Sequence, residues 1–156
     1  MAISKCLKEY LDTCGARYDV VTHRSTRTSA QTAHEVHIPG DQMAKTVILE
    51  DENGYFMAII PSTHRVDLGG LHQKLHRQVG LAAEDDLQEL FSDCVLGAVP
   101  PVGEAYGIPS YLDVSLDDEP DIYFEGGDHE ALVHMSGREF RELTRSAQHG
   151  RFSHRA

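Results

Sequence analysis

The sequence predicts a single α+β domain built from short strands and separate helices. Three observations favour this class. The N-terminal segment places apolar residues at helical spacing, two apolar runs flank an Asn-Gly turn, and several short β-rich runs lie between Gly and Pro breaks. A chain of 156 residues has room for one such domain and can bury a core without metal ions or disulfides.

Each element follows from local signals. Helices are predicted at 3–13 (stopped by Gly15), 29–36, 67–77 (capped by Asp67), 84–91 and 136–144. Strands are predicted at 17–22, 44–50, 55–60, 94–99, 112–116, 122–124 and 131–135.

Two local patterns predict how particular elements begin or connect. Asn53-Gly54 is expected to supply the positive-φ positions of a tight hairpin turn between 44–50 and 55–60. Ser136 and Glu139 form a capping-box pattern for the last helix. We expect residues 1–144 to form the domain and residues 145–156 to form a polar, frayed tail.

The net charge of −11 is unevenly distributed. Residues 1–80 are balanced, residues 81–135 contain fourteen acidic residues and no Lys or Arg, and residues 136–156 carry +3. Because phosphate contacts supply most nucleic-acid affinity, only weak or local contact with nucleic acid is expected. We interpret the acidic middle segment as a solubilising surface.

Composition also bears on location. No apolar run approaches the length of a membrane span, and the N-terminus lacks the apolar core of a signal peptide. Three cysteines without a CxxC pair suit a reducing compartment. The sequence therefore predicts a soluble cytoplasmic protein with no membrane partner.

Several kinds of catalytic site are not supported. The chain has no GxSxG, P-loop or GxGxxG motif, and Cys6, Cys14 and Cys94 are interpreted as buried structural thiols. The pairs His34/His37 and His72/His76 lack the Glu of HExxH and a third ligand. We interpret them as solvated helix faces and expect no metal and no cofactor.

Three features retain two interpretations each. Lys45 opens an apolar strand and points either to solvent or into a pocket. The loop 97–103 is either a plain turn or, because its two prolines cannot donate, a segment whose remaining amides face a ligand. His129 follows Gly127-Asp128 in a turn and is either a surface histidine or part of a site.

Together these features make the chain resemble the YbaK/EbsC family, the free-standing relatives of the editing domain in bacterial prolyl-tRNA synthetases. The similarity runs from about residue 18 to 144 and is carried by 40–49, 97–103 and 126–136. The resemblance implies a mixed α/β domain around a curved, barrel-like, mainly antiparallel sheet. It also implies hydrolysis of mischarged aminoacyl-tRNA.

The resemblance further implies roles for particular residues. The catalytic set would be Lys45, Gly103 and His129. The substrate-binding set would be Gly97, Pro101, Thr46, Thr28 and His23, with the stretch 23–37 lining the amino-acid pocket. Two departures affect this transfer: the region after Gly107 is unusually acidic, and Asp128 replaces the small residue expected before the histidine.

The chemistry is reasonable without a catalytic triad, because the aminoacyl ester is already activated. A positioned water, loop amides that stabilise the oxyanion and the Lys45 cation would suffice. The expected partner is the CCA end of tRNA near Lys45, Arg24 and Arg27. Weak tRNA affinity would imply a synthetase or an elongation factor as a second partner.

Two other functions stay open at this point. A non-catalytic module that binds an aminoacyl ligand or a synthetase would bind without deacylating any tRNA. A metal-dependent hydrolase built on the histidine pairs would lose activity to a chelator.

Overall fold

The computed structural model describes residues 3–95 and 97–156. The helices are α1 (Lys5–Cys14), α2 (Ser29–Glu35), α3 (Leu68–Leu75), α4 (Glu84–Leu90) and α5 (Gly137–Leu143). The strands are β1 (Asp19–Thr22), β2 (Ala44–Asp51), β3 (Gly54–Pro61), β4 (His64–Val66), β5 (Gly80–Leu81), β6 (Ser110–Asp113), β7 (Asp121–Glu125), β8 (Ala131–Ser136), β9 (Gln148–Gly150) and β10 (Ser153–Arg155).

These strands form three hydrogen-bonded sheets, with orders β5-β2-β3-β6-β9, β1-β8-β7 and β10-β4. Most neighbouring strands are antiparallel, while β3-β6 and β6-β9 are parallel. The predicted α+β class and the mainly antiparallel pairing are confirmed. Within the described residues the strands do not close into one barrel.

Among the described residues, one isolated backbone bridge connects the two larger sheets. Met43, just before β2, pairs in parallel with Tyr123 of β7. This bridge places the beginning of the β2–β3 hairpin beside the β7–β8 pair.

The two faces of β2 support different cores. Ala44 and Ile48 lie in the main core, which includes Leu7 and Leu11 from α1 and Phe140 from α5. Since side chains alternate along a strand, the odd-numbered residues of β2 face the other way.

Two smaller clusters cover that second face. Leu49 packs with Ile60 and with Leu71 of α3. Met43 packs with Ala33 of α2 and with Leu132. Lys45 therefore lies between a cluster covered by α3 and a cluster covered by α2.

The hairpin between β2 and β3 forms as predicted, with a different turn. Asp51 pairs with Gly54, so Glu52 and Asn53 form the loop. Gly54 has a φ of +122°, whereas Asn53 is not among the residues with positive φ. The Asp51 carboxylate accepts a hydrogen bond from the Asn53 amide at 2.8 Å, which stabilises this turn.

At the start of α5, only one of the two hydrogen bonds of the predicted capping box forms. Ser136 Oγ accepts a hydrogen bond from the Glu139 amide at 3.1 Å. The Glu139 carboxylate accepts instead from the Arg17 amide at 3.0 Å. The second half of the box is lost because the carboxylate serves a neighbouring segment.

The prediction of a buried strand at 94–99 is wrong for the residues that the structure describes there. Residues 94, 95 and 97–99 form no strand, and Leu96 lies outside the described residues. The Val95 side chain is 50% exposed, whereas Ala98 is fully buried. The apolar composition of this segment reflects a packed loop and not a ladder of hydrogen bonds.

The expectation of a frayed C-terminal tail is also wrong. Strand β9 adds in parallel to β6, and β10 pairs antiparallel with β4. Phe152 is buried against the cluster of Leu49 and Leu71, and its amide donates to the Asp113 carboxylate at 3.0 Å. The boundary at residue 144 remains a prediction, but the segment after it is part of the packed fold.

Replacing Phe152 by alanine should lower the free energy of unfolding by about 3 kcal/mol, because a buried aromatic side chain is removed from a packed cluster. Chemical denaturation measures this difference. The matched control is Arg151→Ala, an exposed neighbour that should change stability by less than about 0.5 kcal/mol. Equal, small effects of the two variants would show that the segment does not contribute to the core.

Candidate functional site

Lys45 is half-buried at the beginning of β2. Within residues 3–95 and 97–156, its ammonium has no hydrogen-bond acceptor and no ion-pair partner. Burial, and then repulsion from the Arg65 guanidinium, lower the pKa of the Lys45 ammonium. A half-buried cation that lacks a counter-ion in the folded protein would be stabilised by a bound anion.

The bridge between Met43 and Tyr123 aligns Lys45 with Glu125. Both strands continue in the same direction from the bridge, and each of these residues lies two positions further on. Because side chains two residues apart share a face, Lys45 and Glu125 project from the same face of adjoining strands.

Glu125 is the centre of a buried polar network. Its side chain is 2% exposed. One carboxylate oxygen lies 3.3 Å from His23 Nε2, while the other accepts from Thr32 Oγ1 at 2.5 Å and lies 3.4 Å from His129 Nδ1. His23 Nδ1 in turn contacts the Arg24 carbonyl at 2.6 Å.

The network draws on three separate segments: His23 follows β1, Thr32 lies on α2, and His129 lies in the β7–β8 turn. Each histidine has one ring nitrogen fixed against the same carboxylate, so Glu125 orients both rings. One buried carboxylate therefore determines the arrangement of a large part of the site.

The β7–β8 turn holds His129 in an unusual conformation. Its φ is +60°, a region that residues other than glycine rarely adopt. The Asp128 carboxylate accepts from the amides of Glu130 and Ala131 at 2.8 and 2.7 Å and so stabilises the turn. The residue that departed from the family pattern thus has a structural role in placing the histidine.

Gly97 brings the proline-containing loop against His129. Its φ is +84°, and a Cβ built there would lie 3.1 Å from both His129 Nε2 and the Arg27 carbonyl. Only glycine fits both the backbone conformation and the close approach. The structure thus brings Gly97, His129 and His23 together, as three of the sequence-predicted residues.

The other end of the loop is tightly packed. Pro101 and Gly103 are buried, and a Cβ at Gly103 would lie 2.4 Å from the Ile108 carbonyl. No acceptor for the amides of Val102 and Gly103 occurs among the described residues. Buried amides without a protein acceptor are suited to bind an anionic oxygen.

The side chains of Thr28 and Thr46 form no hydrogen bond with Glu125. Thr28 Oγ1 accepts from the Gln31 amide at 3.1 Å and so caps α2. The Thr46 side chain faces away from Lys45, since adjacent strand residues project from opposite faces. Its hydroxyl is buried and has no hydrogen-bond partner in the described part of the chain.

The cysteines are less buried than predicted. Cys14 is exposed, which contradicts its interpretation as a buried thiol, and Cys6 and Cys94 are partly exposed. Burial raises the pKa of the Cys94 thiol to about 12, which disfavours the reactive thiolate.

The histidine pairs do not share helix faces. His37 and His76 lie beyond the ends of α2 and α3 with positive φ. Within the described residues, no group of three His, Cys, Asp or Glu side chains could hold a metal ion.

Glu125 and Thr32 were missed by the sequence analysis. The available signal was an acidic residue at the end of an apolar strand, directly before Gly126-Gly127. Such a residue is costly to bury unless polar partners surround it, so it pointed to a network.

A family model of the aminoacyl-tRNA editing domain matches residues 23–143. The chain belongs to this family. The match spans every residue of the network around Glu125, as well as Lys45 and the loop 97–103.

Solved structures agree with this assignment. A candidate trans-editing enzyme for prolyl tRNA synthetase is 28% identical, with a TM-score of 0.84, and the alignment covers 96% of each chain. The hypothetical protein APE2540 is 26% identical, with a TM-score of 0.84, covering 96% of this chain and 100% of that one.

A more distant chain shares the fold alone. A candidate signal transduction protein from Marinobacter aquaeolei VT8 is 20% identical, with a TM-score of 0.77, over 95% of this chain and 30% of that one. No curated protein matches the sequence. In the described residues, no helix has the length and apolar character needed to cross a membrane.

Glu125→Ala should lower the free energy of unfolding by about 2 kcal/mol or more, because the buried ring nitrogens of His23 and His129 lose the carboxylate that they face. Denaturant titration measures the loss. Glu130→Ala is the control, because Glu130 is exposed and follows Glu125 by five residues, at the end of the β7–β8 turn. Comparable stability of the two variants would mean that the network does not contribute to folding.

Proposed function

We propose that this protein hydrolyses mischarged aminoacyl-tRNA, releasing the amino acid and the intact tRNA. The observation that carries the proposal is the Lys45 ammonium, half-buried without a counter-ion on the face that holds the Glu125 network. Membership of the aminoacyl-tRNA editing family supports the same substrate class.

Lys45 is proposed to bind the negative charge of the substrate. The 3′ end of a charged tRNA carries a phosphate and an ester carbonyl whose oxygen gains charge during attack. An ammonium about 4 Å from such an oxygen contributes on the order of 4 kcal/mol at an effective dielectric near 20. Lys45 lies between the α2-covered and α3-covered clusters, on the face of β2 where the substrate would bind.

The loop 97–103 is proposed to stabilise the oxyanion. Attack of a water oxygen on the ester carbon forms a tetrahedral intermediate. The C–O bond to the ribose then breaks, and the ribose oxygen leaves with a proton. The amides of Val102 and Gly103 are the candidate donors to the oxyanion.

His129 is proposed to fix the wall of the pocket and to hold the water or the ribose. Its Nδ1 contacts Glu125, and its Nε2 lies on the side of Gly97, so the ring stands between the carboxylate and the loop 97–103. Gly97 and Pro101 would bound the pocket sterically, and Thr28 remains a proposed substrate contact. Thr46 does not, because its side chain projects from the face of β2 opposite to Lys45.

Lys45→Met should reduce deacylation by a factor on the order of 10² to 10³, as expected for loss of one charge-stabilising donor. The unfolding midpoint should not fall. Burial lowers the pKa of Lys45 in the folded state, so the unfolded chain binds the proton more tightly, and removing the charge lifts this cost.

A panel of mischarged tRNAs under single-turnover conditions tests this prediction. The control is Lys8→Met, an exposed lysine paired with Asp12 at 3.2 Å on α1, which should deacylate like the wild type. If the wild type binds the panel but hydrolyses none of it, the non-catalytic binding module is the correct function.

The pH profile gives an independent measurement. If the charged form of Lys45 is required, enzyme-catalysed hydrolysis should decline at alkaline pH with an apparent pKa below 10.5, because burial and Arg65 favour the neutral amine. Rates are corrected for spontaneous ester hydrolysis at each pH. A profile that stays flat through pH 10.5 would contradict a role for the ammonium.

A further inference from the structure

A group of nitrogen donors lies beside Lys45, on the two-stranded sheet formed by β4 and β10. Arg65 and His154 stand directly opposite each other in this antiparallel pair. Both residues are exposed. Since opposed residues project from the same face at about 5 Å between Cα atoms, the two side chains form one surface.

This surface lacks a counter-ion. Within the part of the chain that the structure describes, neither Arg65 nor His154 forms an ion pair or a side-chain hydrogen bond. Arg155, on the other face of β10, has its own partner in Asp41 at 3.0 Å. The face with Arg65 and His154 thus presents N–H donors to solvent without internal acceptors.

Arg65 is electrostatically connected to the candidate site. Repulsion from its guanidinium is the second contribution, after burial, that lowers the pKa of Lys45. Strand β4 follows β3 after a short turn, and Lys45 pairs with Ile60 near the end of β3. Two positive groups held near each other favour a ligand with more than one negative charge.

The acidic helix α4 lies at the opposite end of the hairpin. Strand β5, which leads to the acidic helix α4, pairs with Leu49 and Glu50. The Asp86 carboxylate of α4 accepts from the Tyr55 hydroxyl at 2.7 Å. Glu50 lies about 17 Å from Lys45 along the strand, at 3.3–3.4 Å per residue.

The acidic helix α4 and the cations Lys45 and Arg65 therefore lie at opposite ends of the β2–β3 hairpin. A long polyanion is attracted to the end with Lys45 and Arg65 and repelled from the end with α4. This arrangement suits a nucleic-acid strand that enters from one side only.

We propose that Arg65 and His154 bind backbone phosphates of the acceptor end of the tRNA, next to the terminal nucleotide whose ester lies at Lys45. The proposal rests on the proposed deacylase function, and it extends the tRNA contact beyond the CCA terminus. Arg65 lies within the family match, whereas His154 of strand β10 lies after it, since the match ends at residue 143.

Filter binding of uncharged tRNA across a range of salt concentrations tests the surface directly. Arg65→Ala and His154→Ala should each weaken binding about threefold to tenfold at low salt, across tRNA sequences. Arg65→Ala should reduce the slope of log affinity against log salt by about 0.9, the value for one phosphate contact. Arg138→Ala is the control, because Arg138 is exposed on α5 against the opposite face of the β7–β8 pair and should leave affinity and slope unchanged.

A second substrate separates this proposal from the deacylase function. A 3′-aminoacyl-adenosine has the ester but lacks the preceding phosphates, so Arg65→Ala should hydrolyse it at the wild-type rate while losing kcat/KM on full aminoacyl-tRNA. If the wild type hydrolyses neither substrate, the deacylase function is refuted. Unchanged tRNA affinity and salt slope in Arg65→Ala, or no measurable tRNA binding by the wild type, would refute the phosphate surface.

Discussion

The parallel bridge between Met43 and Tyr123 brings together the parts of the molecule on which its chemistry depends. The β2–β3 hairpin carries the lysine, and the β7–β8 pair carries the carboxylate and the histidine. These two units belong to different sheets, and the bridge sets their relative position and direction. The helices that cover this face, α2 and α3, pack on neighbouring clusters and leave the lysine between them.

Local signals in the sequence predicted local structure well. Asp67 and Ser136 cap their helices through contacts three residues away, and Gly15 ends α1 in the left-handed conformation. Features set by distant segments were harder to predict. The run 94–99 has the composition of a strand but packs as a loop, and Phe152 is the one large apolar residue that ties a polar segment to a cluster formed elsewhere.

The residues of the candidate site also differ in whether a local sequence pattern identifies them. Lys45, Gly97 and His129 were identifiable because each breaks a local pattern: a charge in an apolar strand, a glycine before prolines and a histidine in a turn. Glu125 was not identified, because its importance depends on contacts with His23 and Thr32, which are distant in sequence, as well as with the nearby His129. The acidic residue at the end of an apolar strand indicates that polar partners surround it, but the sequence does not identify His23 and Thr32 as those partners.

The backbone at position 129 limits what substitution there can reveal. Glycine and asparagine tolerate a left-handed conformation readily, whereas alanine and β-branched residues do so at higher energy. An alanine at this position therefore removes the imidazole and strains the turn at the same time. Asparagine is the substitution that leaves the turn geometry relaxed, so His129→Asn best measures the contribution of the imidazole ring itself. A homologous chain without histidine at this position is expected to carry a residue that tolerates the same left-handed conformation.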